Sequence, residues 1–342
     1  MKKTIKKVFT AALLMTLPLL SAGCNRGKKV PIAPTGPLNN QEYMDDAAVT
    51  VDGVKVTYRE AMLYMQAAKQ EYESAYGGEI WQYQLNEDGS SLGEWVKEQT
   101  LEKIISIKII CREAARRGIE LDSEEKNYVN LRAEEYMQRA EYSELALYGI
   151  ARKDVETVYT DNAIAQKLYD SITLNVNTDV TDEEAIQKHI QSLMLKNHHE
   201  DEFGNKSPLT VLEMISAMDR FDALFNEAKE TSDFYSLAYA NTDDKTYLDQ
   251  YVGEGDLPEA FAEAYDLKTG EAMQIRTDDG YYIFYCVSDF DEEAVAVRKE
   301  EIIADRQEKA FQDAYESWKR ESKIQVNEEI WHAIGFDAEA KG

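Results

Sequence analysis

The chain has 342 residues, with 38 basic and 65 acidic side chains and a formal net charge of −27. A surface this acidic excludes nucleic acid as a partner, since that needs a basic face, and it excludes lying flat on an anionic membrane through charge alone. Four histidines and three cysteines give little material for a metal site, a nucleophile–histidine pair or a disulfide framework, and there is no Walker A or dinucleotide fingerprint.

The first seven residues, MKKTIKK, carry four lysines and no acid, and an apolar run, Val8 to Leu20, follows. With Ser21-Ala22-Gly23 behind it, this is a secretory signal, residues 1–23, too short to be kept as a span of roughly 20 apolar residues. Ala-Gly directly before Cys24 resembles the lipobox of bacterial lipoproteins, although Ser21 stands where leucine is usual and Leu20 lies one place further back. The resemblance implies that Cys24 carries a lipid and becomes the mature N-terminus, with two acyl chains sufficing for stable attachment. Removing residues 1–23, with their four lysines, takes the net charge from −27 to −31. The other cysteines, Cys111 and Cys286, sit in apolar runs and read as free buried thiols.

Residues 24–46, with three prolines and two glycines, read as a flexible tether. Alternating valines around Asp52-Gly53 then predict a β-hairpin. Helices are predicted over 58–76, over about 91–117 with Gly118 as stop, from an Asp122 cap to Tyr148 with Gly149 as stop, and from Lys153 to about Ser171. Their broad apolar stripes need partners, so 47–180 reads as a helical domain.

The segment from Thr181 to Glu184 has capping-box spacing and predicts another helix start. Ile190–Leu195 reads as a strand, a polar loop holds His198, His199 and Gly204, and a helix runs from about Pro208 to Lys229. The two adjacent histidines with Glu200, Asp201 and Glu202 read as a solvated loop, because neighbouring loop residues seldom point at one ion. Short helices over 232–239 and 258–265, a strong strand over 281–288, a long charged helix over 292–322 and a short tail from Trp331 complete the chain. The order predicts an α+β fold with the α+β module 181–290 inserted before a C-terminal segment, 291–342. Strand signals are too few for a two-lobed solute-binding protein.

At this point the chain resembles the SurA/PrsA group of exported foldases, over nearly its whole mature length. Val51-Asp52-Gly53 through Thr57 is similar to the entry of that group's helical domain, Tyr148-Gly149-Ile150 through Asp154-Val155 to a turn within it, and Val180 through Glu184 to the lead into a parvulin-type module. Asp233-Phe234 with Leu237-Ala238, Leu267 through Glu271 and Thr277 through Tyr281 match motifs inside the module. The resemblance implies a helical chaperone domain, an inserted parvulin-like (FKBP-like α+β) module and a long C-terminal helix packing back on the helical domain. The departures are specific. Parvulins carry two site histidines, and here Ser192 or Leu193 holds the first place and Tyr282 the second, with His189 out of register. The glycine-rich loop is absent, and the segment from Asp249 to Gly253 stands near it.

What the resemblance implies for function is a membrane-anchored, extracytoplasmic foldase whose partners are unfolded or proline-containing exported polypeptides, with no nucleic acid. Prolyl isomerisation breaks no covalent bond; the amide twists through a barrier of ~18–20 kcal/mol. It calls for an apolar slot and groups that favour the twisted amide, and for no nucleophile, metal or cofactor. Tyr251, Leu257, Phe261, Tyr265 and Tyr282 are the candidate cleft residues, set against the alternative that they are simply core. With both histidines replaced, catalysis is expected to be weak or absent. An active isomerase and a dedicated assembly lipoprotein holding one partner are the alternatives.

Overall fold

The computed structural model describes residues 43–85, 91–140 and 147–335. The signal segment, Cys24 and nearly all of the tether lie outside these residues. The fold is α+β. By internal contacts it divides into two units: one comprises the chain up to Asn175 together with Glu308 onward, the other Val176–Gln307.

Strands β1 (Ala47–Val51) and β2 (Val54–Thr57) pair antiparallel around Asp52-Gly53. Both turn residues have positive φ, 50° and 86°, as a two-residue hairpin demands. Helix α1 (Tyr58–Tyr76) starts on Thr57, whose Oγ1 accepts from the Glu60 N–H. Reciprocal capping boxes, Ser91 with Glu94 and Asp122 with Glu125, start α2 (Leu92–Arg116) and α3 (Ser123–Arg139). The predicted run of α3 to Tyr148 is not observed: the helix ends at Arg139, and Ala140 is extended. Val129 and Ala133 of α3 are buried and Tyr136, Met137 and Ala140 pack partly buried against the same core; residues 141–146, the remainder of the predicted run, lie outside the described residues. Helix α4 (Arg152–Thr173) closes the group. Between α1, α2 and α4 the buried Lys108 ammonium lies 2.6 Å from Glu60 Oε1 and donates to Asp161 Oδ2 at 2.5 Å. The Glu60 contact is close but poorly aligned, since Oε1 accepts no well-directed hydrogen bond.

In the second unit, Thr181 and Glu184 exchange the two bonds of a capping box, yet no helix follows. The segment is a turn, because Ala185 must enter the core and β3 begins three residues later. Strand β3 (Lys188–Lys196) is followed by β4 (His198–Glu200) and β5 (Lys206–Pro208). The expected polar loop is therefore a small hairpin, its turn tied by Asp201, which accepts from the N–H groups of Phe203 and Asn205. Helix α5 (Val211–Ala228) carries a Thr210–Glu213 capping box, and α6 (Phe234–Asn241) is capped by Asp233. Then come β6 (Asp249–Val252), a 3-10 helix over Glu259–Asp266, β7 (Ala272–Arg276) and β8 (Gly280–Ser288). The strands form one antiparallel sheet in the order β6-β3-β8-β7. At Gly280 a Cβ would lie 2.4 Å from the Leu195 carbonyl oxygen, so only glycine lets β8 start this close to β3.

Helix α7 (Glu292–Glu321) is shared by both units. In the second unit Val295 packs with Val180 and Ala185, with Ile302 and Ile303 against them. In the first, Phe311, Tyr315 and Trp318 join a core with Val49, Met62, Ile104, Ile107 and Leu168, so the end of the long helix packs back on the helical body. The expected tail is structured. Strand β9 (Ile324–Val326) pairs with β1, and α8 (Glu328–Ala333) brings Ile330 and Trp331 into the same core.

Candidate functional site

The site builds outward from β3 and β8. Their register pairs Ser192 with Phe284 and Met194 with Tyr282. Period-two alternation then puts Ile190, Ser192, Met194, Tyr282, Phe284 and Cys286 on one face, and Leu193, Leu195 and Ile283 on the other. The second face packs on Phe221 and Leu224 of α5. Of the two residues that could hold the place of the family's first histidine, Ser192 therefore faces Phe261 and Tyr282, while Leu193 points into the helix-side core. Ser192 is 3% exposed, and its hydroxyl donates to the Tyr247 carbonyl oxygen at 2.6 Å. It is a satisfied structural hydroxyl.

Phe261, on the 3-10 helix, is the hub of the first face. Its ring centroid lies 4.6 Å from that of Tyr282, 5.1 Å from Phe284 and 5.3 Å from Tyr247, the last edge-on. Leu257, Phe261 and Tyr282 are 8%, 6% and 7% exposed, and Tyr265 packs partly buried against them. These four are together, and they fill the space between them. Tyr251 is elsewhere: alternation on β6 sends Val252 inward and leaves Tyr251 53% exposed, stacked on His189 at 4.6 Å. The five candidate residues therefore do not form one cleft. Burial first, then the carboxylates of Asp244 and Asp279, raise the pKa of the Tyr282 phenol, so it stays a neutral hydroxyl. Lys188, buried on the same face, donates to the carbonyl oxygens of Tyr265 and Leu267 and sits 4.7 Å from the Tyr265 ring, fixing the end of the 3-10 helix. Sequence reasoning missed Tyr247, which precedes β6 in a stretch without periodicity, and Lys188, whose charge reads as solvent-facing.

The three histidines of this unit each have a local contact, although His198 Nε2 is buried without a hydrogen-bond partner among the described residues. His189 Nε2 lies 2.7 Å from Asp249 Oδ1, His198 Nδ1 3.1 Å from Asn197 Oδ1, and His199 Nε2 3.3 Å from Glu213 Oε2. No group of three metal-binding side chains occurs among the described residues. Gly89 to Gly93 has G-x-S-x-G spacing, but the Ser91 hydroxyl is engaged as the N-cap of α2, accepting from the Glu94 N–H, and none of the histidines is bonded to it among the described residues. Cys111 and Cys286 are free; burial pushes the Cys286 thiol up to about 11 and Cys111 higher, so both stay protonated.

A second surface was not foreseen. The first turns of α5 are exposed although apolar: Val211 (71%), Leu212 (80%), Met214 and Ile215, with Phe203 on the β4–β5 turn. Of these only Met214 lies close to the line of the stripe that buries Phe221, Leu224 and Ala228 further along the same helix; at 3.6 residues per turn Leu212 and Ile215 fall on the opposite side, away from that core. Cys24, the candidate lipidation residue, lies outside the described residues.

No protein-family model matches the chain. In sequence it is 26% identical over 293 residues to the foldase protein PrsA of Caldanaerobacter subterraneus subsp. tengcongensis, covering 82% of this chain and 87% of that one. It is 22% identical over 351 aligned positions to the foldase protein PrsA of Clostridium botulinum strain Langeland, covering 95% and 98%. Among solved structures, the peptidylprolyl isomerase PrsA of Bacillus cereus aligns at 13% identity over 84% of this chain and 96% of that one, with a TM-score of 0.34, too low to carry an argument. The end-to-end sequence similarity agrees with the motifs read along the chain: this is a SurA/PrsA-like protein.

Proposed function

We propose that the protein is an extracytoplasmic foldase that holds unfolded exported polypeptides, anchored to the outer face of the cytoplasmic membrane by a lipid on Cys24. The observation that carries this reading is the similarity to PrsA foldases across most of both chains. In this reading 47–180 is the chaperone domain, 181–290 the parvulin-like module, and 291–342 the segment that returns to the helical body.

Binding is favoured over fast catalysis. The resemblance puts Ser192 or Leu193, and Tyr282, at the histidine positions, and the Phe261 cluster packs its own rings together. A proline ring would have to displace Tyr247 or Tyr282 to enter. The exposed apolar turns of α5 support the holding role, because a contiguous apolar patch on a strongly acidic protein suits transient contact with unfolded chains.

The test is aggregation of an unrelated unfolded protein in the presence of residues 25–342. Suppression at stoichiometric ratio is expected. Its absence, with tight binding to a single partner, would favour the dedicated assembly lipoprotein. Anchoring is checked separately: Cys24→Ala should move the protein from the membrane to the soluble fraction.

A further inference from the structure

Away from the Phe261 cluster, a cavity of about 580 Å³ opens between Gln187, Tyr251 on β6, Asp256 in the following loop, and Asp291, Glu293 and Arg298 at the start of α7. All of these lie within the second unit. The volume falls in the range of ligand-sized sites, about 300–1,000 Å³. We propose that this cavity receives a lysine or arginine side chain of a bound polypeptide. The identity of the occupant rests on the foldase reading; the cationic chemistry rests on the walls.

Four carboxylates, Asp256, Asp291, Glu293 and Glu301, line the cavity against a single cation, Arg298. Asp256 accepts from the Gly253 N–H at 2.7 Å and Asp291 from the Ala294 N–H at 2.9 Å, both neutral donors that leave the negative charge in place. Glu293 makes no hydrogen bond or ion pair among the described residues. The one guanidinium, Arg298, is bonded to Glu301 at 2.8 Å. Like charges on a concave wall raise one another's energy, and an entering cation relieves this.

Two further walls point the same way. Gln187 is 8% exposed; its Nε2 donates to the Ile186 carbonyl oxygen, and its Oε1, with no partner among the described residues, adds a neutral acceptor to the lining. Tyr251 has one ring face covered by His189 and presents the rest of the ring to the cavity, which suits a cation–π contact. The apolar stem of a lysine or arginine can lie along Ala294 and Val297 while its head reaches the carboxylates. A chelated divalent metal fits poorly, since no three ligating groups converge among the described residues. β6 is an edge strand, so an extended segment laid along it would deliver a side chain at this wall.

The test uses the chain from residue 25 onward, which contains every described residue. A labelled extended peptide with one central lysine is titrated against the same peptide carrying norleucine there. Lysine is expected to bind on the order of tenfold more tightly at low salt, from one cation–π contact plus ion pairing. Tyr251→Ala and Glu293→Gln, both at the surface, should reduce that preference towards parity, and Tyr251→Phe should keep it. Equal binding of the two peptides, or a preference untouched by both variants, overturns the proposal. If aggregation suppression persists in that case, only the cavity assignment falls. If the lysine preference persists without suppression, the cavity stands and the foldase reading falls.

Discussion

Replacing Phe261 by alanine separates a core from a cleft. The ring is 6% exposed and touches three other rings with centroids 4.6–5.3 Å away. Removing it takes away the transfer energy of a buried aromatic and leaves a hole that Tyr247, Tyr282 and Phe284, held on the sheet and its flanking loop, can only partly close. Such changes cost about 3–5 kcal/mol. For a unit of this size that is a fall in Tm on the order of 10–20 °C. Calorimetry on the wild-type and Phe261→Ala proteins measures it, with Tyr251→Ala as the exposed control expected to shift Tm little. Client binding is measured on both variants at a temperature where each is folded. If Phe261→Ala keeps its Tm but loses client binding, the ring belongs to an open binding slot and the packing argument is wrong.

Three more outcomes follow from the same structure. Lys108→Met strands Glu60, which is as buried as the lysine, and should destabilise the helical unit by about 3–5 kcal/mol in urea unfolding; adding Glu60→Leu should recover much of the loss. The Thr210 hydroxyl, then the Thr210 N–H and His199, hold the Glu213 carboxyl down at about 2 from an ordinary value of 4.5. A depressed carboxyl stabilises the folded state above 4.5, and its contribution is lost as pH falls from 4.5 towards 2; amide exchange at the start of α5 should therefore quicken over that window, and Glu213→Gln should remove the pH step. Leu212→Glu with Ile215→Glu should leave Tm within a few degrees, since both side chains are exposed, while weakening aggregation suppression severalfold; unchanged suppression would remove α5 from the binding surface.

Much of the fold could be read because its signals are local. The Asp52-Gly53 turn, the Ser91–Glu94 and Asp122–Glu125 boxes and the apolar run of β8 each depend on residues within one element. What escaped depends on distant partners. β6 and β9 are short strands of three or four residues with no alternation to count, and they exist because β3 and β1 offer an edge. The Thr181–Glu184 box looked like a helix because its local bonds are those of one; the buried place of Ala185 decides otherwise. In the site, the motif spacing found Leu257, Phe261 and Tyr282, but spacing alone cannot tell a pocket wall from a core. The same limit put Tyr251 with them, since the inward direction on β6 is settled only by its pairing with β3.

The most direct test of the account is proline-limited refolding of an unrelated protein with residues 25–342 present, first in catalytic and then in stoichiometric amounts. Uncatalysed X–Pro exchange takes tens to hundreds of seconds, so the slow phase is easily followed. The account predicts an unchanged slow phase at catalytic amounts and reduced aggregation at stoichiometric amounts. A slow phase accelerated by catalytic amounts would contradict it: a filled Phe261 cluster without the two histidines would then still be a working isomerase.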